Sequence, residues 1–272
     1  MFRRVMIFIL LFSSPLYLFA EDYTVASEVL WPESKLVIDI VYPLPVTERP
    51  LPAEKKQIEE KISDALPVII FNELSGMILD SHTRVKDYLN GKTSVIPRVF
   101  KLADKAAREI SIFSRDMKNL EIRYTVSLYP DIAEIFLPAP PHEELGRLLK
   151  FVPSADFTGI VIYIDRQKGF TPSLFPRIYD QNMNLIMDRF HIDSDMIKKW
   201  GAVQYRQNLD LAGSVERIGH SPLKLAARGL FGVNNTDIII STLDAEKILS
   251  RKKNINLIYQ GRILIVYERS TR

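Results

Sequence analysis

The chain has 272 residues, of which 47% are hydrophobic and 25% are charged, a composition that suits one large globular domain or two smaller ones. It has no cysteine, which excludes disulfides, thiolate nucleophiles, cysteine-based metal sites and a lipoprotein's lipidated cysteine. The formal net charge of +3 falls to +1 without Arg3 and Arg4, so charge gives no argument for nucleic-acid binding.

Residues 1–20 have the three-part layout of a secretory signal peptide. Arg3 and Arg4 form a short basic region, Val5–Phe19 is apolar, and an acidic pair follows. An uncleaved membrane anchor is the alternative, but the apolar run is short of the ~20 residues that a spanning helix needs, and Pro15 interrupts it. We therefore predict a cleaved protein in the periplasm that is not a lipoprotein and has no membrane span.

Residues 21–137 are predicted to form the first domain, which opens with a strand and a helix. Leu36–Val41 is a strand candidate with its leucine and two isoleucines on one face. Apolar residues recur at helix spacing over Ile58–Ile69. Pro67 either kinks one helix or lies in the first turn of a new one.

A second helix and a second strand complete the predicted first domain. The helix begins at Ser94, a plausible N-cap, and its apolar stripe extends to Phe113. Glu121–Leu128 alternates polar and apolar residues without exception, which indicates a strand with one dry face. The predicted fold class is α+β, with a strand-helix-helix-strand domain followed by a second, mixed α/β domain.

Leu137–His142 is the predicted domain boundary, because its prolines forbid helix or ladder continuation. We assign residues 138–144 to a proline-rich linker and residues 145–272 to the second domain. The strands predicted there are Ile160–Ile164, a hairpin within Arg177–Met187, Leu223–Phe231, Thr236–Ser241 and Gly261–Tyr267. The predicted helices are Leu145–Val152, Asp193–Trp200, Leu209–Ile218 with Gly219 after it, and Ala245–Ser250 capped by Asp244 or Ser241.

The sequence contains no GxGxxG, GxSxG or HExxH motif, so we predict a protein that is not an enzyme and needs no cofactor. Four polar residues at the ends of predicted strands could still form a cluster: Arg177, Asp180, Asp165 and Asp237. Separated carboxylates can do acid–base chemistry, but such residues more often fix strand ends to loops. We interpret them as structural or interaction residues, with Arg177 and Asp180 fixing the hairpin.

A second polar group lies around His191, where Asp188, Asp193 and Asp195 are close in sequence. Carboxylate oxygens suit a divalent cation. A polar loop with a helix cap at Asp193 or Asp195 is the favoured interpretation.

Several segments carry a family resemblance. LVIDIVYPLP, GMILDSHTRVKDYL at Gly76–Leu89 and IRYTVSLY at Ile122–Tyr129 resemble the N-terminal domain of flagellar assembly protein T and related small outer-membrane lipoproteins, flagellar protein P among them. FTGIVIYID, PSLFPRIYD and GRILIVY resemble the part that follows in such proteins. This chain lacks their lipidated cysteine and their long alanine-rich helix. The resemblance implies a periplasmic structural protein, often part of rings around the flagellar motor, and it implies no catalytic residues.

The leading hypothesis is a non-enzymatic periplasmic structural or assembly protein, associated with the flagellar basal body and with further copies of itself. One alternative is a periplasmic ligand-binding protein or hydrolase that uses second-domain loops near Arg177, Asp180, Asp193 and His220. Convergence of those side chains on one pocket would favour that alternative, and their dispersal would favour a scaffold. Another alternative is an envelope adaptor unrelated to flagella.

Overall fold

A computed structural model describes most of the chain outside the leader. The described ranges are residues 23–44, 52–137, 143–146, 152–165, 169–207 and 211–268. The predicted signal peptide, residues 138–142 of the predicted linker and most of the predicted helix at Leu145–Val152 lie outside them.

The first domain is built on a four-stranded antiparallel sheet in the order β1-β2-β4-β3. The strands are Thr24–Leu30 (β1), Lys35–Pro43 (β2), Ala107–Phe113 (β3) and Asn119–Ser127 (β4). The predicted dry face is confirmed, since Ile122, Tyr124 and Val126 are buried, whereas Thr125 on the predicted wet face is buried as well. On that wet face Arg123 donates to both carboxylate oxygens of Asp39, at 2.7 and 3.0 Å.

Helices cover the apolar face of this sheet. They are Pro52–Ser75 (α1), Val85–Gly91 (α2) and Ile96–Phe100 (α3), and Ala133–Phe136 (α4) follows the last strand. α1 is a single helix with Pro67 in its interior, and it buries Ile62, Leu66, Ile69, Ile70 and Leu74. The helices therefore cover the same face of the sheet that the alternation of polar and apolar residues predicted to be buried.

The helix predicted from Ser94 to Phe113 is wrong in its second half. Helical structure ends with a 3₁₀ turn at Lys101–Lys105, and Ala107–Phe113 form β3. The sequence of β3 fits a helix spacing and a strand alternation equally well, and pairing with β4 decides for the strand. β1 was not predicted at all, because its mostly exposed residues carry no apolar pattern.

The second domain has two four-stranded sheets, which confirms its mixed α/β character. One is parallel, in the order β8-β12-β5-β9, and the other is mixed, in the order β10-β11-β6-β7. The strands are Ile160–Ile164 (β5), Ile178–Asp180 (β6), Leu185–Met187 (β7), Gln204–Arg206 (β8), Leu223–Ala226 (β9), Gly229–Phe231 (β10), Asp237–Ile240 (β11) and Ile263–Tyr267 (β12).

Several details of the second domain differ from the predictions, and neither β8 nor the helix at Lys252–Tyr259 was predicted. The single strand predicted at Leu223–Phe231 is two strands in different sheets, because β9 joins β5 and β10 joins β11. Within the predicted helix at Leu209–Ile218, the described residues form a 3₁₀ turn and one short helix, and Gly219 follows with a φ of +65°.

The helices of the second domain are short and begin at side-chain caps where the sequence offers them. They are Ser194–Trp200 (α5), Val215–Ile218 (α6), Thr242–Leu249 (α7) and Lys252–Tyr259 (α8). Asp193 caps α5 and Ser241 caps α7, each through a side-chain oxygen that accepts a backbone N–H. Among the described helices, none combines the length and apolarity needed to cross a membrane.

The two domains share one continuous hydrophobic core. Backbone hydrogen bonds also cross between them. The amides of Leu174 and Phe175 donate to the carbonyls of Ile78 and Leu79, at 3.1 and 2.7 Å. These bonds and the shared core bring the candidate residues of the second domain against the first domain.

Candidate functional site

Arg177 and Asp237 are in contact at the start of two neighbouring strands of the mixed sheet, β6 and β11. The backbone N–H of Arg177 donates to Asp237 Oδ1 at 3.0 Å, and the side chain of Asp237 is fully buried. Among the described residues, Asp237 Oδ2 has no hydrogen-bond partner. Burial raises the pKa of Asp237, and the nearby Ser81 hydroxyl and Arg177 only partly oppose that rise.

The side chain of Arg177 faces the first domain. Burial alone would lower the pKa of Arg177, but Tyr179, Asp237 and Asp80 together hold it above the usual value. Asp80 belongs to the first domain, so this charge cluster spans the domain junction. The crevice that Arg177 and Asp80 line with Phe175 has essentially no space for a small molecule. The geometry is that of a packed junction.

Asp180 lies at the turn between β6 and β7. Its Oδ1 accepts the backbone N–H groups of Asn182 and Asn184 at 2.9 and 2.8 Å, and its Oδ2 accepts the Asn184 side-chain amide at 2.8 Å. Asp165 is exposed and follows β5 in the other sheet. The four predicted residues therefore separate into one pair, one hairpin residue and one distant carboxylate.

Replacing Asp180 by alanine is expected to lower the free energy of unfolding by about 2–3 kcal/mol, since it removes three hydrogen bonds to a buried carboxylate. Gln181→Ala, an exposed change in the same turn that removes only a long hydrogen bond from the Thr242 N–H at 3.4 Å, is the matched control and should stay within about 0.5 kcal/mol of the parent chain. Urea denaturation measures both. Equal losses in the two variants would contradict a structural role for the Asp180 carboxylate.

The polar side chains around His191 interact with one another and with the backbone of their own segment. Asp188 Oδ1 accepts the backbone N–H of Phe190 at 2.8 Å and lies 3.1 Å from His191 Nδ1, while Asp193 accepts the backbone N–H of Asp195. Within the described part of the chain, no three side chains of metal-ligating type come together. Burial opposes ionisation of Asp188, but the hydrogen bonds from His191 and Phe190 outweigh it and lower its pKa.

The opposite pKa shifts of Asp237 and Asp188 give opposite effects of pH on stability. The pKa of Asp237 is higher in the folded than in the unfolded chain. Its stabilising contribution to the free energy of unfolding is therefore complete below the unfolded-state pKa of about 3.9 and is lost as pH rises through the folded-state pKa. A lowered pKa means that the contribution of Asp188 is present above about 3.9 and is lost as pH falls through the folded pKa.

We therefore expect the stability of Asp237→Asn, relative to the parent chain, to improve as pH rises from about 3 to about 8. The relative stability of Asp188→Asn should fall over the same range. Urea denaturation at a series of pH values checks both variants. If the relative stabilities of the two variants changed with pH in the same direction, burial would not be the cause of the raised pKa of Asp237.

The domain junction also contains two features that the sequence reasoning missed. Tyr129, in the turn after β4, lays its ring against the backbone of Gly201, at the end of α5. Gly201 has a φ of +85°, and a Cβ there would clash with the Tyr129 ring. The Tyr129 hydroxyl is buried without a hydrogen-bond partner among the described residues, and burial raises its pKa.

Arg217 is the second missed feature. Its side chain is 4% exposed, and the guanidinium donates to the carbonyls of Gly261 at 2.7 Å, of Gly201 at 2.8 Å and of Trp200. Burial lowers the pKa of Arg217 to about 9, which leaves it protonated at neutral pH. Arg217 thus fixes two chain segments of the second domain directly beneath Tyr129.

A cleft lies between the domains at the carboxyl ends of the parallel strands. It has a volume of about 540 Å³. One wall is the end of β1 and the turn after it, and the other is the segment Gly169–Pro172. The floor is aromatic, since Trp31, Phe170 and Tyr267 line it, and Gln207 donates to the Tyr267 hydroxyl at 3.1 Å. Clefts at the carboxyl ends of parallel strands are common ligand sites.

The family models that match the chain divide it into the same two domains as the structure. Residues 22–135 match the N-terminal domain of Treponema pallidum Tp0624, and residues 159–269 match the second domain of the same protein. The predicted resemblance to flagellar assembly protein T and to flagellar protein P is therefore wrong, because the matched models are Tp0624 domains and no flagellar family is among them. No curated protein matches the chain.

Proposed function

We propose that a chain with these two Tp0624-type domains in series works as a non-enzymatic assembly protein of the periplasm, in which both domains act as one rigid unit. The flagellar association rested on the corrected resemblance and is not part of the proposal. Self-association and partner proteins of the envelope remain part of it, and so does export through residues 1–20.

The observation that carries the proposal is the domain junction. Domains joined by small polar interfaces move relative to each other by default, whereas a large hydrophobic interface suppresses that motion. Here the core is continuous, and the hydrogen bonds from Leu174 and Phe175 to the first domain tie backbone to backbone. Closure of these two domains around a substrate would need a hinge at this junction.

The placement of the predicted residues supports the same proposal. Asp180 is used in a turn, Asp193 in a helix cap and Arg177 in the charge cluster at the junction, while His220 lies exposed on a different loop. Their dispersal over separate elements favours a scaffold over a hydrolase at the second-domain loops.

The full chain should unfold in a single cooperative transition, because rupture of either domain exposes the shared core. Calorimetry tests this through the ratio of calorimetric to van't Hoff enthalpy, which should be close to one. Two resolved transitions would contradict the rigid unit.

Cross-linking in the host envelope, followed by capture of the tagged full chain, tests the assembly role. We expect the processed chain in the periplasmic fraction, cross-linked to envelope proteins or to its own copies. A processed chain that stays monomeric and uncross-linked would contradict the proposal.

A further inference from the structure

We infer that the interdomain cleft beside β1 receives an extended, positively charged segment of a partner protein, which adds a strand to β1 and places a lysine or arginine side chain over the aromatic floor. This inference rests on the proposed assembly function and names the partner's chemistry. Four features of the described residues support it: a sheet edge, an adjoining cleft, acidic side chains and aromatic rings.

The first feature is the edge of the first-domain sheet. β1 lies at one end of the strand order and pairs with β2 over seven consecutive residues without a register shift. β3, at the other end, has a register shift between Arg108 and Ile110, a bulge of the kind that disfavours strand addition. A regular edge strand without proline accepts an extended peptide through main-chain hydrogen bonds.

The second feature is the continuity between that edge and the cleft. Glu28, Val29 and Leu30 are the last residues of β1, and all three line the cleft. A peptide paired with this end of β1 therefore projects alternate side chains toward the opposite wall at Gly169–Pro172. The volume of about 540 Å³ accommodates a long side chain.

The third feature is charge. The exposed carboxylates of Glu28 and Glu33 lie at the cleft, and none of its described lining residues is basic. Glu33 makes no ion pair with the described residues. The carboxylate of Glu33 therefore favours a cationic segment over an acidic one.

The fourth feature is the aromatic floor, which is already ordered. Trp31 contacts the buried ring of Tyr205 edge-on at 5.3 Å, and Tyr267 contacts Phe170 and Tyr205 at 5.5 and 6.1 Å between ring centroids. Faces of such rings attract ammonium and guanidinium groups. A floor held by neighbouring rings loses little entropy when a cation binds.

Fluorescence polarisation with labelled peptides and the purified full chain tests the inference. The probe is a capped seven-residue peptide that alternates valine with lysine. Its controls replace each lysine by glutamate, or carry N-methyl groups on alternate amides in either phase, which blocks strand pairing on that side. We expect the lysine peptide to bind at least about tenfold more tightly than the glutamate peptide and than the N-methylated peptide whose methyl groups face β1, while the other N-methylated peptide keeps its affinity.

Protein variants separate the cleft from a general charge effect. Glu33→Gln should weaken the lysine peptide by about two- to fivefold, as expected for an exposed ion pair. Glu121→Gln, an exposed carboxylate on β4 that does not line the cleft, should leave its affinity unchanged.

Three results would overturn the inference: equal affinity for the glutamate peptide, undiminished binding of both N-methylated peptides, or a dimer of the chain that the lysine peptide dissociates. In the last case a second copy occupies the edge. Any of these results leaves the assembly proposal standing if envelope partners are still captured, so the two failures are distinguishable.

Discussion

Gly201→Ala is expected to lower the free energy of unfolding by about 2–5 kcal/mol, from backbone strain together with overpacking. Gly201 has a φ of +85°, a conformation that an alanine adopts only with strain. The new Cβ also clashes with the ring of Tyr129, which the first domain places there. The hydroxyl at the far end of that ring is itself buried.

Gly169→Ala is the matched control for this prediction. Gly169 has a φ of +66°, but a Cβ there meets nothing within 4 Å. The control therefore measures the cost of a positive φ without a side-chain clash, which we expect to be about 1–2 kcal/mol. Urea denaturation of both variants measures the difference, and equal losses would show that the Tyr129 contact adds nothing.

A second variant tests whether the clash acts through Tyr129. Combining Gly201→Ala with Tyr129→Leu should cost less than the sum of the two single changes, because the smaller side chain leaves room for the methyl group. Tyr129→Phe keeps the ring and removes a buried hydroxyl without a partner among the described residues, so it should leave stability unchanged or improve it.

The parts of the fold that could be predicted from the sequence are those with a local physical signature. Ile160–Ile164 and Ile263–Tyr267 were predictable because strands buried on both faces are apolar throughout. The helix cap at Ser241 and the turn around Asp180 were predictable because the acceptor and the backbone donor lie within four residues.

The parts that escaped prediction depend on distant residues. Ala107–Phe113 fits two periodicities, and only pairing with β4 selects the strand. The donors and acceptors around Arg217 lie 16, 17 and 44 positions apart in the chain. Nothing in the sequence around Arg217 distinguishes it from an exposed helix residue.

The same limit applies to the candidate site. The residues that we predicted were polar residues at strand ends, and of these only Arg177 and Asp237 meet. The aromatic cleft combines Trp31 of the first domain with Phe170 and Tyr267 of the second, so it exists only after the domains have packed. A single sequence contains no signal for such a juxtaposition.

Replacing Arg217 by methionine is expected to lower the free energy of unfolding by about 2–4 kcal/mol, because two opposed effects differ by roughly that amount. The change removes three charge-assisted hydrogen bonds, worth about 1.5–3 kcal/mol each, from the carbonyls of Trp200, Gly201 and Gly261. It also relieves the burial of a cation, which costs several kcal/mol. The hydrogen bonds outweigh that relief because the carbonyls of Gly201 and Gly261 would stay buried without a donor.

Two further variants make the prediction specific to the guanidinium. Arg217→Lys keeps the charge but loses the planar fork that reaches three carbonyls, so we expect a loss of about 1.5–3 kcal/mol. Arg206→Met is the control, since Arg206 is only half-buried and donates to Gly213 and Ser214 at 3.1 and 3.3 Å, and its loss should stay below about 1 kcal/mol. Urea denaturation at neutral pH measures all three. If Arg217→Met were as stable as Arg206→Met, then the packing of Tyr129 on Gly201 would hold the domain junction without the arginine.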